Sequence, residues 1–176
     1  GPLLAAAVTY LLSIHVSPRG EASFSNQVLK EFELEFAKQH PDLDIKSRFT
    51  GDIPHLDFGA QFALRVPVDQ HDEKMKQDFA LANLLTDEID GAAALVIATP
   101  MYNWGPPSSL KAWIDRIINV RTWHQPTVDI SNLPVTVIVT SAGLYSVGEN
   151  VDAAQHLVAG IRRKTDVFRS HVNSPE

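Results

Sequence analysis

Apolar runs alternate with amphipathic stretches along the chain, and this alternation predicts how the chain folds. Residues 7–16 and 92–99 are almost continuously apolar, which is typical of parallel strands that are covered on both faces. Residues 43–49 alternate apolar and polar positions, as a strand near a sheet edge does. A β-branched run over residues 133–140 predicts a further strand, and we expect a short last strand within residues 166–172.

Helical periodicity occupies most of the segments between these runs. The predicted helices are 26–39, 71–89, 108–119 and, with a weaker pattern, 151–164. Ser108 is the predicted N-cap of the third helix. Residues 59–70 show no clean period and contain Pro67, which favours an exposed connection or the approach to the next helix. Alternating strands and helices indicate an α/β fold, a doubly wound parallel sheet with helices on both faces.

Composition narrows the class of protein. The length of 176 residues predicts a single domain over residues 1–176, in which residues 1–3 resemble the remnant of an expression tag. A net charge of -6 without a cluster of basic residues makes a nucleic acid a poor partner. The apolar stretch over residues 3–16 is too short to cross a bilayer, so we expect no membrane span.

The sequence contains no cysteine, which excludes disulfides, thiolate metal sites and a cysteine nucleophile. We predict no metal site. A chain without cysteine is compatible with a reducing cytosol, so we expect a cytoplasmic protein.

Three loops follow predicted strands and should open onto the same edge of the sheet, where such folds bind ligands. The first loop places Ser17, Ser23 and Ser25 just before a helix, where hydroxyls and unpaired backbone amides can hold a phosphate. The alternative is that these serines only cap the helix and shape a turn. The chain has no Walker A sequence and no Gly-x-Gly-x-x-Gly after the first strand, so P-loop and dinucleotide Rossmann folds lose their main support.

The second loop carries the most specific signal. It reads Pro100-Met101-Tyr102-Asn103-Trp104-Gly105-Pro106-Pro107 and continues as Ser108-Ser109-Leu110-Lys111 at the start of a helix. This pattern closely resembles the flavin loop of FMN-dependent NADH azoreductases and related NAD(P)H quinone reductases. The first loop, with Ser23-x-Ser25-Asn26, and Ser141-Ala142-Gly143 after the fourth strand are similar to the other flavin loops of that family.

The resemblance implies a flavodoxin-like fold, FMN as the cofactor, NADH or NADPH as the co-substrate, and a homodimer. The implied contacts with FMN come from all three loops: Ser17, Arg19, Ser23, Phe24 and Ser25 in the phosphate loop, Met101, Tyr102, Asn103 and Trp104 along the isoalloxazine, and Ser141, Ala142, Gly143 and Leu144 near its pyrimidine edge. From the residues themselves, Tyr102 or Trp104 can form an apolar wall for a flat ring, and ordinary core packing is the alternative for both.

Two departures from the family pattern bear on these expectations. Leu144 stands where the family usually has a second glycine, and a branched side chain there can crowd the flavin. The chain ends at Glu176, which leaves little room for a full last strand and a C-terminal helix. We therefore expect a sheet that is truncated at its C-terminal end.

The segment over residues 119–133 is long and aromatic enough to be a lid over the flavin. Trp123 lies where the family usually has an aromatic residue near the substrate, and His124 can donate a proton to a quinone oxygen or azo nitrogen. These two are the predicted catalytic residues. The alternative for His124 is a solvated surface group.

The expected function is the transfer of hydride from NAD(P)H through FMN to a quinone, azo or related aromatic acceptor, by a ping-pong mechanism. One alternative is a flavodoxin-like domain with weakened or lost FMN binding, which serves nonredox catalysis or binds a partner. Another is an electron carrier of the flavodoxin type, which the net negative charge permits.

Overall fold

The strands and helices alternate as predicted. The computed structural model describes residues 9–124, 126–141 and 169–170. Its strands are β1 Tyr10–His15, β2 Asp44–Phe49, β3 Ala92–Pro100, β4 Pro134–Thr140 and β5 Arg169–Ser170. Its α-helices are α1 Phe24–Gln39, α2 Phe58–Ala63, α3 Glu73–Asp90 and α4 Ser108–Ile117. The predicted helix over residues 151–164 lies outside the described residues.

Within the described residues, the five strands are parallel and follow the order β2-β1-β3-β4-β5. This is the strand order of flavodoxin-like sheets, in which the direction of winding reverses between β1 and β3. β2 lies at the edge, as its alternating pattern predicted. The carboxyl ends of β1, β3 and β4 therefore meet at the edge where doubly wound folds bind ligands.

Helices cover both faces of the sheet. Successive residues of each strand point to opposite faces, so the apolar residues of β1 pack against helices on both sides. Leu11 of β1 packs in one cluster with Leu29 of α1, whereas its neighbour Leu12 packs in a second cluster with Leu85 of α3 and Trp113 of α4. The expected doubly wound architecture is confirmed. In the described part of the chain, no helix combines the length and apolarity that crossing a membrane requires.

The segment before α3 differs from the prediction. Where we expected an exposed connection or the approach to the next helix, the chain forms a separate short helix, α2, and a 3-10 turn at Val68–Gln70. The carboxylate of Asp57 caps α2 by accepting a hydrogen bond of 2.8 Å from the amide of Ala60. Ala60 and Ala63 are buried. A side-chain cap and small buried residues thus stabilise a helix that is too short to show a period.

The start of α4 also differs from the prediction. Pro107 occupies the N-cap position without a side-chain hydrogen bond, and Ser108 is the first helical residue. Lys111 donates its backbone amide to the carbonyl of Pro107, which begins the helix one residue earlier than expected. The Ser108 cap prediction is wrong, although the apolar face of α4 lies where the spacing placed it.

Candidate functional site

A cavity of about 370 Å³ opens at the carboxyl edge of the sheet, within the usual size range of small-molecule sites. All three strand-end loops contribute to it. Its lining residues are Ser17, Arg19, Ser23, Phe24, Pro100, Met101, Tyr102, Thr140 and Ser141. The three loops therefore meet at this edge, as the order of strands and loops predicted.

The first loop forms the polar end of this cavity. Ser17 and Ser23 are buried there, and Ser23 is the N-cap of α1 because its Oγ accepts a hydrogen bond from the amide of Asn26 at 3.4 Å. The amides of Phe24 and Ser25 open the helix and have no acceptor within it. The positive end of the helix dipole points toward the same place. This end of the cavity is suited to an anion.

The charges around the first loop agree with that assignment. Arg19 brings a guanidinium to the cavity, and none of the described lining residues carries a carboxylate. His15 ends β1 two residues before Ser17. Burial lowers the pKa of His15, while the nearby carboxylate of Glu33 raises it less. Burial thus disfavours the charged form of His15, and Arg19 is the cationic residue among the described residues that line the cavity.

The second loop is a tight turn with a strained backbone. Tyr102 donates its amide to the carbonyl of Gly105 at 2.9 Å, and Gly105 donates to that of Tyr102 at 3.0 Å. The two residues between them, Asn103 and Trp104, have φ of 48° and 66°, as a two-residue hairpin turn of type I′ requires. Positive φ is unfavourable for tryptophan, and such strain is concentrated at functional sites.

Aromatic side chains near the cavity remain accessible to solvent. Phe24 is 68% exposed, Tyr102 is 42% exposed, and Trp104 at the tip of the turn is 64% exposed. Large flat side chains of this kind can contact a planar ring while the rest of the cavity binds polar groups. The second loop is held against the sheet because Met101 donates its amide to the carbonyl of Thr140 at 2.8 Å. The cavity thus has a polar end at the first loop and an aromatic end at the second.

Comparison with known proteins agrees with this architecture. A family model described as a flavodoxin-like fold matches residues 9–169. The chain belongs to the flavodoxin-like fold family. Its relatives include the FMN-dependent NADH:quinone oxidoreductase 2 of Jannaschia sp. (strain CCS1), which is 35% identical over 150 residues that cover 80% of this chain and 71% of that protein.

Solved structures of the flavodoxin-like fold resemble the chain closely in shape. The azoreductase from Bacillus anthracis str. Sterne has a TM-score of 0.75 at 17% identity, with 94% of this chain and 84% of that chain covered. An FMN-dependent NADH-azoreductase from Bacillus anthracis str. Ames Ancestor, solved in complex with FMN, has a TM-score of 0.72 at 19% identity, with coverage of 93% and 85%. At these identities the likeness shows the shared fold.

The predicted cofactor-binding residues that the structure describes fall into three groups. Those that line the cavity are Ser17, Arg19, Ser23, Phe24, Met101, Tyr102 and Ser141. Ser25 is 1% exposed and lies behind Ser23, with the two Oγ atoms 3.0 Å apart. Asn103 and Trp104 form the tip of the turn beside the cavity. Ala142, Gly143 and Leu144 lie outside the described residues.

Pro100 and Thr140 also line the cavity, and sequence reasoning did not single them out. Each is the last residue of its strand, β3 or β4. In a flavodoxin-like sheet the final strand residues face the ligand edge, so strand position was the signal that could have found them.

The predicted lid is not a free loop in its first part. Val120–His124 forms a π-helical turn in which Val120 and Thr122 are buried. Val120 donates its amide to the carbonyl of Leu64 at 2.8 Å. The side-chain amide of Asn119 donates to Thr86 Oγ1, also at 2.8 Å. These contacts with α3 and the end of α2 hold the turn in place.

This anchored turn lies away from the cavity. A helix that connects two parallel strands runs antiparallel to them. The helix α4 therefore leads from the carboxyl edge of the sheet, where the cavity lies, toward the amino edge, where the turn follows it. Trp123 is 45% exposed on the turn that follows α4, and it does not line the cavity. His124 ends the same turn. Trp123 therefore does not line the cavity of its own chain, because contacts with Thr86 and Leu64 hold the turn elsewhere, and the catalytic roles of Trp123 and His124 stay predictions.

Proposed function

We propose that the protein is an FMN-dependent oxidoreductase that transfers hydride from NADH or NADPH to a quinone, an azo compound or a related aromatic acceptor. The observation that carries the proposal is the cavity at the switch point of the sheet, which is polar and cationic at one end and aromatic at the other. The name of the Jannaschia relative, an FMN-dependent NADH:quinone oxidoreductase, supports the same cofactor and reaction class.

The polar end fits the phosphate of FMN. Ser17 and Ser23 offer hydroxyl groups, the first amides of α1 offer backbone donors, and Arg19 offers a positive charge. All of these groups donate hydrogen bonds to an anion or attract it. The absence of a carboxylate among the described lining residues removes the repulsion that would oppose a phosphate.

The aromatic end fits the isoalloxazine. Met101 and Tyr102 present apolar surface to the cavity there, and Thr140 adds a hydroxyl at the end of β4. Bound FMN would supply the hydride-transfer chemistry between a nicotinamide and a second substrate. The residues of this chain hold the planar molecules in contact and exclude water from their faces. No side chain needs to act as an indispensable acid in this scheme.

A ping-pong order follows if the two substrates use the same cavity in turn. We expect NADH alone to bleach the visible absorbance of the FMN-loaded protein under anaerobic conditions, and a quinone added afterwards to restore it. Steady-state rates at several quinone concentrations should give parallel double-reciprocal lines. Bleaching that requires both substrates together would contradict the ping-pong order. A protein that binds no FMN would contradict the oxidoreductase and favour nonredox catalysis or partner binding.

We further propose a homodimer in which the second copy approaches the cavity. Phe58, Phe62 and Trp123 are 82%, 48% and 45% exposed, and they lie on α2 or on the turn bonded to the end of α2. Exposed aromatic groups of this kind are enriched at protein interfaces. In such a dimer the catalytic role predicted for Trp123 and His124 would be exerted on the partner's cavity. A monomer in sedimentation equilibrium would contradict this proposal.

The cytoplasmic location stays a prediction.

A further inference from the structure

A loop that binds phosphate must present N–H groups to its ligand and direct its carbonyl oxygens elsewhere. The first loop meets this requirement through internal hydrogen bonds. The carbonyl of Gly20 accepts from the backbone amide of Ser23 at 3.1 Å and from Nδ2 of Asn26 at 3.0 Å. The same Nδ2 also lies 3.5 Å from the carbonyl of Ser17. One side-chain amide thus contacts carbonyls at both ends of the turn.

Asn26 makes these contacts from outside the cavity. Asn26 is not among the residues that line the cavity, but lines a separate groove of about 690 Å³ together with Gly20 and Glu21. Its backbone amide donates to Oγ of Ser23, a residue that lines the cavity. Asn26 therefore supports the loop without being placed to touch a ligand in the cavity.

The other half of the same amide group is left without a partner. Oδ1 of Asn26 is buried and accepts no hydrogen bond. An unsatisfied buried acceptor destabilises a folded protein. An apolar side chain at this position would avoid that cost but would lose the two-hydrogen donor. The hydrogen bonds of Nδ2 to the loop carbonyls thus explain why an asparagine is present in spite of that cost.

We propose that Asn26 is a positioning residue for the anion end of the cavity. By binding the carbonyls of Ser17 and Gly20, it turns their negative ends away from the cavity and fixes the amides and hydroxyls that face it. The inference rests on the proposed function, because it assigns Asn26 to the recognition of the phosphate of FMN.

Comparing FMN with riboflavin tests this role, since riboflavin has the same ring but no phosphate. Quenching of flavin fluorescence gives the Kd of both ligands for the wild type and for Asn26→Ala. We expect the variant to bind FMN about tenfold more weakly, a difference of about 1.4 kcal/mol, while its Kd for riboflavin stays within about twofold of the wild-type value.

Gln27→Ala is the matched control. Gln27 is the next residue, and its Nε2 also donates to a loop carbonyl, that of Glu21 at 2.9 Å, but in an exposed position. We expect this variant to bind both flavins as the wild type does. Circular dichroism melts of both variants show whether the domain remains folded at the temperature of the titrations.

The possible outcomes separate the inference from its premise. An unchanged Kd of Asn26→Ala for FMN would overturn the positioning role. An equal loss of affinity for FMN and riboflavin would overturn it as well, because it would indicate a general structural role. Failure of the wild type to bind FMN would contradict the proposed function itself and would remove the premise of the inference.

Discussion

Replacing Trp113 with alanine is expected to lower the free energy of unfolding by about 3–5 kcal/mol. Trp113 is 1% exposed and lies on α4 within the larger core cluster, beside Leu110 and Ile117. The cluster joins α4 to β1, β3 and α3, so the cavity left by the indole would lie at the centre of one face of the sheet. Few surrounding side chains can move to fill such a space, since the core is close-packed.

Trp113→Phe provides the matched comparison. Nε1 of Trp113 is buried and donates no hydrogen bond, so phenylalanine removes no polar contact and keeps a large part of the apolar volume. We expect a clearly smaller loss of stability than for alanine. Urea unfolding at a constant m-value measures both changes. A loss below about 1 kcal/mol for Trp113→Ala would show that this face of α4 does not support the core.

Replacing Asn103 and Trp104 together with glycine should weaken FMN binding about tenfold or more without destabilising the fold. Both residues have positive φ, a conformation that glycine adopts more easily than tryptophan does. The substitution thus makes the positive φ of the turn less strained. It removes the aromatic side chain of Trp104 and the side-chain amide of Asn103. A loss of affinity can then be assigned to the side chains.

Isothermal titration with FMN measures the affinity, and thermal melting measures the stability of the same double variant. Leu34→Ala is a suitable control, because it removes an exposed apolar side chain from α1 about three turns beyond the loop. Unchanged affinity in the double variant would contradict a role for this turn in binding the ring. A large drop in melting temperature would instead show that the turn is required for folding.

The sequence predicted the helices and strands whose own pattern of apolar residues is sufficient to identify them. The apolar positions of α4 follow one helical face, and Leu110, Trp113, Ile114 and Ile117 are all buried in the structure. The helix α2 was missed because it has six residues and depends on the Asp57 cap and on packing against α3. Tertiary contacts decide whether such short segments are helical, and a segment of this length is too short to show those contacts as a helical repeat in the sequence.

The candidate site was predictable at the level of loops but not of individual contacts. Parallel strands bring their carboxyl ends to one edge, so the meeting of the three loops followed from the order of elements. The local sequence does not reveal that Ser23 lines the cavity whereas Ser25 does not, or that Asn26 contacts the carbonyls of the loop. The local sequence also does not reveal that the turn of Trp123 is held by residues more than thirty positions away, such as Thr86.

The central claim is that the cavity between the three loops binds FMN, and a crystal structure of the protein with FMN tests it most directly. The account predicts one FMN per chain, with its phosphate beside Ser17, Ser23 and Arg19 and its ring against Met101 and Tyr102. Electron density for FMN at another surface, or an empty cavity in crystals grown at saturating FMN, would contradict the account.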